Sequence, residues 1–336
     1  TRPRTTARLR SAFASVENTA SIPSFTESPA KPITCTIIAC LGDGCGLVQE
    51  VTEMGIQDHA VRAITDDGAF RVVVATTTSL TAEGVRRQAA QGQPARCLGD
   101  LLTSAVLVRE TMAPSQRLQA ILVGRDRRCR AVADSHPQGE TRGLLTLPAG
   151  QDEIPLAGGT LEVMRTLYSG DLHRGLVSVP EGGVSQAVMS YLSASEQVAS
   201  MFAVTTLFDE QGEVELAGGY LVQLLPEVGR QPLQIMTERL RDFEDVSPWL
   251  RQAGGQPSAL LAELLYAMPY TIVGESPVRF QCQCSSLRVL TSLATVGQAE
   301  LTDMIATGEV LDITCDYCGQ AYRVGPEQLR GLLAES

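Results

Sequence analysis

The pattern of hydrophobic and polar positions predicts a folded region that begins at about Ala60. Residues 70–78 are rich in β-branched side chains, which is typical of a strand. Residues 98–112 place apolar side chains at helical spacing and predict a core helix. Two apolar runs, 117–123 and 129–133, flank the sequence Gly-Arg-Asp-Arg-Arg and predict a β-hairpin.

The same pattern continues to about residue 226. It predicts a second hairpin (160–166 with 175–179), a helix (184–195) and two strands (202–208 and 215–225). Strands joined by short turns pair in antiparallel fashion, so the fold class expected for residues 55–227 is an α+β core domain with antiparallel sheets.

The chain changes character after this core. Residues 231–243 and 258–268 look helical and amphipathic, and the prediction for 228–275 is a helical linker that docks on the core. Residues 276–336 hold the paired cysteines and are expected to form a small C-terminal domain, with a helix near 299–307 and another that opens at Pro326.

Composition excludes several classes of protein. The 336 residues carry a formal net charge of −11, and aromatic residues are 4% of the chain, so neither a nucleic-acid surface nor an anionic membrane surface is expected. No apolar run approaches the roughly 18 residues of a membrane span. The one lysine, Lys31, lies in a Pro-rich stretch and suits neither a P-loop nor a Schiff base. No catalytic constellation is visible, so an enzyme is not expected.

Residues 1–50 look like an extension. Its first 34 residues contain four arginines and eleven Ser/Thr residues but two acidic residues, which is the composition of an organellar transit peptide. A plain disordered tail is the alternative. Three cysteines lie at five-residue intervals within this extension (Cys35, Cys40 and Cys45). Because the extension is expected to be cleaved, a metal site on these cysteines is not favoured.

The strongest chemical signal is two close cysteine pairs. The first pair is Cys282 and Cys284, the second pair is Cys315 and Cys318, and 30 residues separate them. Four thiolates suit a closed tetrahedral Zn²⁺ site. The sequence Cys-Asp-Tyr-Cys-Gly, which ends at Gly319, resembles a zinc knuckle. Because thiolates are also what oxidants attack, each pair can instead close as a local disulfide, or alternate between the two states.

Several motifs in the same order carry a family resemblance. They are the C-x-C and C-x-x-C pairs, the sequence Tyr-Leu-Ser-Ala-Ser-Glu-Gln at 191–197, Ala-Gly-Gly-Tyr-Leu-Val-Gln-Leu-Leu-Pro at 217–226 and Leu-Gly-Asp-Leu-Leu at 98–102. From about residue 55 to 333, the chain resembles the heat shock protein 33 family of redox-regulated holdase chaperones.

The resemblance implies a specific function. Cys282, Cys284, Cys315 and Cys318 would hold one Zn²⁺ in the reduced form and become two disulfides on oxidation. The linker would then unfold, and the protein, usually a homodimer when oxidised, would bind unfolding client proteins under oxidative stress without ATP. Bacterial members are cytosolic and lack such an extension. An organellar member is therefore expected. The chloroplast is the preferred location, and the mitochondrion and the cytoplasm are the alternatives.

Two local sequences depart from the family. Ser285-Ser-Leu-Arg288 stands where charged residues are common, and Gly124-Arg-Asp-Arg-Arg128 stands where a glycine-rich hairpin tip is usual. A zinc-ribbon protein that binds nucleic acid or a protein partner is the competing hypothesis. It predicts a basic tail, yet residues 271–336 hold four arginines against eight acidic residues. Outside the pairs, Cys97 and Cys129 are expected to be buried.

Overall fold

The structure, a computed structural model, describes three stretches of the chain: 57–167, 170–225 and 230–334. Contacts between Cα atoms define two compact units. The larger unit holds the described residues up to Cys284 together with Ile313–Tyr322, and the smaller holds Ser285–Asp312 and the chain from Arg323 onwards. Within the described stretches, no helix combines the length and the apolar character that crossing a membrane requires.

The strands, in chain order, are β1 (His59–Thr65), β2 (Phe70–Thr76), β3 (Leu118–Val123), β4 (Arg130–Ser135), β5 (Glu140–Thr146), β6 (Thr160–Thr166), β7 (Leu172–Ser178), β8 (Ser200–Phe208), β9 (Val214–Leu224), β10 (Tyr270–Pro277), β11 (Arg279–Phe280), β12 (Leu311–Thr314) and β13 (Ala321–Val324). The helices are α1 (Thr78–Arg87), α2 (Gly92–Arg109), α3 (Gly183–Tyr191), α4 (Arg230–Leu240), α5 (Ser247–Gln252), α6 (Pro257–Leu264), α7 (Ser286–Ala294), α8 (Gln298–Thr307) and α9 (Pro326–Ala334).

Two sheets form the larger unit. Sheet A has the order β10-β1-β2-β9-β8, and sheet B has the order β11-β5-β4-β3-β6-β7. Every pairing in these sheets is antiparallel except that of β11 with β5. The predicted α+β fold with antiparallel sheets is therefore confirmed. Strands β12 and β13 form a small hairpin around the second cysteine pair.

Helix α2 is the centre of the first hydrophobic cluster. It packs against both sheets, and its Leu101 is fully buried together with Val73 and Leu221 of sheet A and with Leu122 and Leu161 of sheet B. A helix that touches two sheets must be apolar around most of its circumference. This explains why nearly every residue of α2 from Pro94 to Arg109 is buried.

A second hydrophobic cluster covers the other face of sheet A. Val61 and Val72 point to this face, and α4, α5 and α6 lie on it through side chains such as Leu240 and Leu250. The four leucines that the sequence assigns to an apolar helix face are all at most 1% exposed: Leu260, Leu261, Leu264 and Leu265. Residues 234–265 therefore form the apolar cover of sheet A.

The predicted elements agree with the structure at most positions and differ at their ends. Both hairpins form, as β3 with β4 and β6 with β7. The helix expected over 98–112 begins earlier, at Gly92. The helix expected over 184–195 is α-helical to Tyr191 and continues as a π-helical turn over Leu192–Glu196. The pattern predicts no strand over Tyr270–Pro277, yet these residues form β10. Most side chains of this edge strand are exposed, so it lacks the alternation that marks a half-buried strand.

Candidate metal centre

The first cysteine pair lies just beyond the edge of sheet B. Strand β11 runs parallel to the start of β5, and the next backbone N–H, of Gln281, donates to the carbonyl of Thr141 at 3.0 Å. Between the two cysteines, the side-chain amide of Gln283 donates to the carboxylate of Glu140 at 2.9 Å. Sheet pairing therefore fixes the path of the chain that carries this pair.

The second pair lies in the turn that joins β12 to β13, the cysteine turn (residues 315–319). The backbone N–H of Cys315 donates to the carbonyl of Gln320 at 2.9 Å, and that of Gly319 donates to the carbonyl of Cys315 at 2.8 Å. Gly319 has φ +74°, in the left-handed region that glycine adopts without a steric cost. The turn brings both of its thiols to the same side of the hairpin.

The four thiols meet in one cluster. Their Sγ atoms all lie within 4.8 Å of one another, with 3.8 Å between Cys282 and Cys315 and 3.4 Å between Cys284 and Cys318. Among the Cys, His, Asp and Glu side chains of the described residues, these four cysteines form the group that is placed to hold a metal ion. The histidines at positions 59, 136 and 173 are not part of it.

The cluster fits a tetrahedral zinc ion. A Zn–S bond of about 2.3 Å implies a separation of roughly 3.8 Å between sulfurs at the corners of a tetrahedron. The measured separations are close to this value, and three of the four cysteines are partly exposed, which leaves a path for an ion to enter. The donor set, four sulfurs with no oxygen or nitrogen, favours zinc over magnesium or calcium.

Neighbouring groups make the thiols chemically unequal. The hydrogen bond between Cys282 and Cys315, helped by the Arg142 guanidinium 3.5 Å away, lowers the pKa of Cys282 to about 4 despite its burial. Burial raises the pKa of Cys318 to about 11. The phenol of Tyr322 donates to the sulfur of Cys284 at 3.0 Å. Cys282 is therefore the thiol of the cluster whose ionisation its neighbours favour.

Arg142 is held in place by a buried carboxylate. Its Nε and Nη2 atoms donate to Asp134 at 3.0 and 2.9 Å, and Arg117 donates to the same carboxylate at 2.6 Å. Burial alone would raise the pKa of Asp134, but His136 at 3.2 Å and Arg117 outweigh it and hold that pKa well below its usual range. The Arg142 guanidinium lies 4.1 Å from the ring centroid of Tyr317, in the cysteine turn.

No pattern in the sequence predicts this network. Arg142 and Asp134 lie on β5 and β4, about 140 residues before the first cysteine pair, and no local pattern connects them with it. The expectations for the isolated cysteines are confirmed: Cys97 is 3% exposed in α2 and Cys129 is fully buried just before β4. Burial and the nearby Asp126 raise the pKa of Cys129 to about 11, which disfavours a reactive thiolate. The cysteines at 35, 40 and 45 lie outside the described residues.

The fold and the cysteine cluster together define a class of proteins with two antiparallel sheets, a helical cover and a C-terminal four-thiol centre. The model of one family, described as Hsp33 protein, matches residues 58–325. The chain therefore belongs to the Hsp33 family, as its resemblance predicts.

Individual relatives agree with this assignment. The 33 kDa chaperonin of Syntrophotalea carbinolica is 31% identical over 290 residues, which cover 83% of this chain and 100% of that protein. A 33 kDa chaperonin of Thermus thermophilus is 30% identical over 82% of this chain and 86% of its own length. A crystal structure of the Thermotoga maritima 33 kDa chaperonin superposes with a TM-score of 0.71 over 83% of this chain and 98% of that one, at 23% identity, which supports the fold.

Proposed function

We propose that this chain is an ATP-independent holdase chaperone, and that oxidation of its four-cysteine centre to two disulfides activates it. Membership of a family whose relatives are named chaperonins supports chaperone activity. The observation that carries the redox part is the cluster of four Sγ atoms within 4.8 Å, beside an arginine that stabilises a thiolate.

The proposed reduced state holds one Zn²⁺ on Cys282, Cys284, Cys315 and Cys318. When bound, zinc keeps its sulfur ligands deprotonated and contributes folding free energy to a small unit. In the proposed oxidation, each disulfide forms from two cysteine thiolates and one hydrogen peroxide, which takes up two protons from solvent and is reduced to two waters. Two disulfides therefore consume two peroxides and leave no thiolate to bind the metal.

The surface proposed to capture clients is the one beneath the apolar cover of sheet A. Leu261 and Leu264 of the cover are fully buried against a sheet face that includes Val72 and Val74. If the cover leaves this face, both surfaces become exposed to water at a cost of about 25 cal/mol per Å² of apolar area. Exposed apolar segments of an unfolding client offer a partner for each surface, which is the physical basis of the proposed holdase activity.

One experiment tests the proposal directly. The purified protein is incubated with and without peroxide at a mildly unfolding temperature, and zinc release and suppression of client aggregation are both measured. The expected result is that peroxide releases one zinc per chain and that the oxidised protein then suppresses aggregation without ATP. The proposal fails if the oxidised protein keeps its zinc, or loses it without gaining activity.

Two further features belong to the proposal. The active oxidised form is proposed to be a homodimer, which sedimentation before and after oxidation tests. The chain is also proposed to act in an organelle, with the chloroplast preferred, because residues 1–34 are rich in arginine and serine. Fusing residues 1–56 to a fluorescent protein tests this, and a reporter that stays in the cytoplasm would contradict it.

A further inference from the structure

The cysteine turn is held to the core through its main chain. The side-chain amide of Gln88, just after α1, donates to the carbonyls of Asp316 and Tyr317, both at 2.9 Å. Arg87 donates from Nη1 to the carbonyl of Cys318 at 2.7 Å. Three successive carbonyls of the turn thus accept hydrogen bonds from two neighbouring core side chains, and none of these bonds involves a sulfur atom.

Each of these two side chains is itself fixed by a second contact. The Oε1 atom of Gln88 accepts a hydrogen bond from the backbone N–H of Leu145 in β5 at 2.9 Å. The Nε atom of Arg87 donates to Glu83, one turn earlier in α1, at 2.7 Å. Because their orientation is already determined, these groups lose little side-chain entropy when they bind the turn.

Arg142 provides a third contact, of a different kind. Its guanidinium lies over the ring of Tyr317 at 4.1 Å from the centroid, and Asp134 holds the guanidinium plane through two hydrogen bonds. A planar cation that is partly removed from water attracts the face of an aromatic ring. Tyr317 is therefore attached to Arg142 of sheet B by its ring and to Gln88 by its carbonyl.

We propose that Gln88 and Arg142 position the cysteine turn on the core without help from a metal ion, and so keep the second cysteine pair beside the first when the thiols are unloaded. The contacts that hold the turn involve two carbonyls and one aromatic ring, and these groups remain when metal is removed. Under the proposed function, on which this consequence rests, the four thiols of the reduced chain stay close enough together to bind a metal ion again.

Hydrogen–deuterium exchange of the reduced full-length chain, stripped of metal with a chelator, tests the proposal. The amides of Cys315 and Gly319 report on the turn, because both donate to carbonyls in or next to it. In the wild-type chain these amides should stay protected. Gln88→Ala should accelerate their exchange about tenfold, the effect of losing two hydrogen bonds of ordinary net strength.

Gln93 supplies a matched control. Its side chain bridges main-chain groups as that of Gln88 does, since it binds the N–H and the carbonyl of Ile154 at 2.9 and 3.2 Å, but it does not touch the cysteine turn. Gln93→Ala should leave exchange in the turn unchanged. If the two variants exchange alike, or if the wild-type turn exchanges like an unstructured peptide, the proposal is overturned.

Two conservative variants separate positioning from a general structural role. Gln88→Glu retains the size and the acceptor for Leu145 but cannot donate to the turn, so it should exchange as fast as Gln88→Ala. Arg142→Lys keeps the charge but loses the planar stacking on Tyr317, and it should also exchange faster. Wild-type exchange rates in both would overturn the proposal. Since the measurement uses neither oxidant nor client, its failure is distinguishable from failure of the proposed function.

Discussion

The apolar cover of sheet A provides the sharpest prediction. Leu261 lies in α6, is 0% exposed, and packs in the second hydrophobic cluster against the outer face of the sheet. Truncating a fully buried leucine to alanine costs about 2–5 kcal/mol. Because this side chain lies in the interface between the cover and the sheet, most of that cost destabilises the closed state, in which the cover is packed on the sheet.

A loss of about 3 kcal/mol multiplies the population with an open cover by about 100-fold, since each 1.4 kcal/mol is a factor of ten. Reduced Leu261→Ala should therefore bind an apolar fluorescent dye and suppress client aggregation without peroxide. Exchange of the Leu265 amide, which donates to the carbonyl of Leu261 at 3.0 Å, should accelerate in parallel and report opening of α6 directly.

The control is Leu122→Ala in β3. Leu122 is also 0% exposed but lies in the first hydrophobic cluster, away from the cover. The assay temperature of each variant is chosen so that the two variants have equal folded fractions, which urea unfolding at that temperature determines. If Leu261→Ala opens α6 yet binds no more dye or client than Leu122→Ala, the surface under the cover is not the client surface.

Three other predictions concern the cysteine centre and its support. Replacing Cys282 and Cys284 together by serine should abolish both zinc release and activation by peroxide, and a surviving response would mean that the trigger lies elsewhere. Despite its burial, Asp134 has a pKa below its unfolded value, so its stabilising contribution is complete above about pH 4 and is lost as the pH falls further. Urea unfolding should accordingly lose stability below pH 4 more steeply in the wild type than in Asp134→Asn, and equal slopes would contradict this. Gly319→Ala, at φ +74°, should destabilise the cysteine turn by about 1–2 kcal/mol in thermal unfolding, whereas Gly331→Ala inside α9 should be neutral or stabilising.

Local patterns predict the parts of this fold whose burial is regular. The β3–β4 hairpin is foreseen because two apolar runs flank a short polar turn, and the side chains of β3 alternate between buried and half-buried positions as expected. Strand β10 is not foreseen. Its hydrogen-bonding partner, β1, lies about 210 residues earlier, and its own side chains are mostly exposed.

The same distinction applies to the cysteine centre. The role of the four cysteines can be predicted because two close pairs of thiols suit few kinds of site, chiefly a metal site or local disulfides. Arg142, Asp134 and Gln88 are not, because ordinary polar residues on β5, on β4 and after α1 acquire their roles through contacts with a segment that follows much later in the chain. Contacts between residues so far apart in the chain form only in the folded protein, and they leave no periodic pattern in a single sequence.

The position of β10 also affects how the chain is made. Synthesis proceeds from the N-terminus, so β1, β2, β8 and β9 all leave the ribosome before the strand that completes sheet A. Until Tyr270–Pro277 emerges, β1 is an open edge with unpaired N–H and carbonyl groups, which is a template for pairing with other strands. Nascent chains that stall before this segment should therefore be prone to aggregate through the open edge of β1.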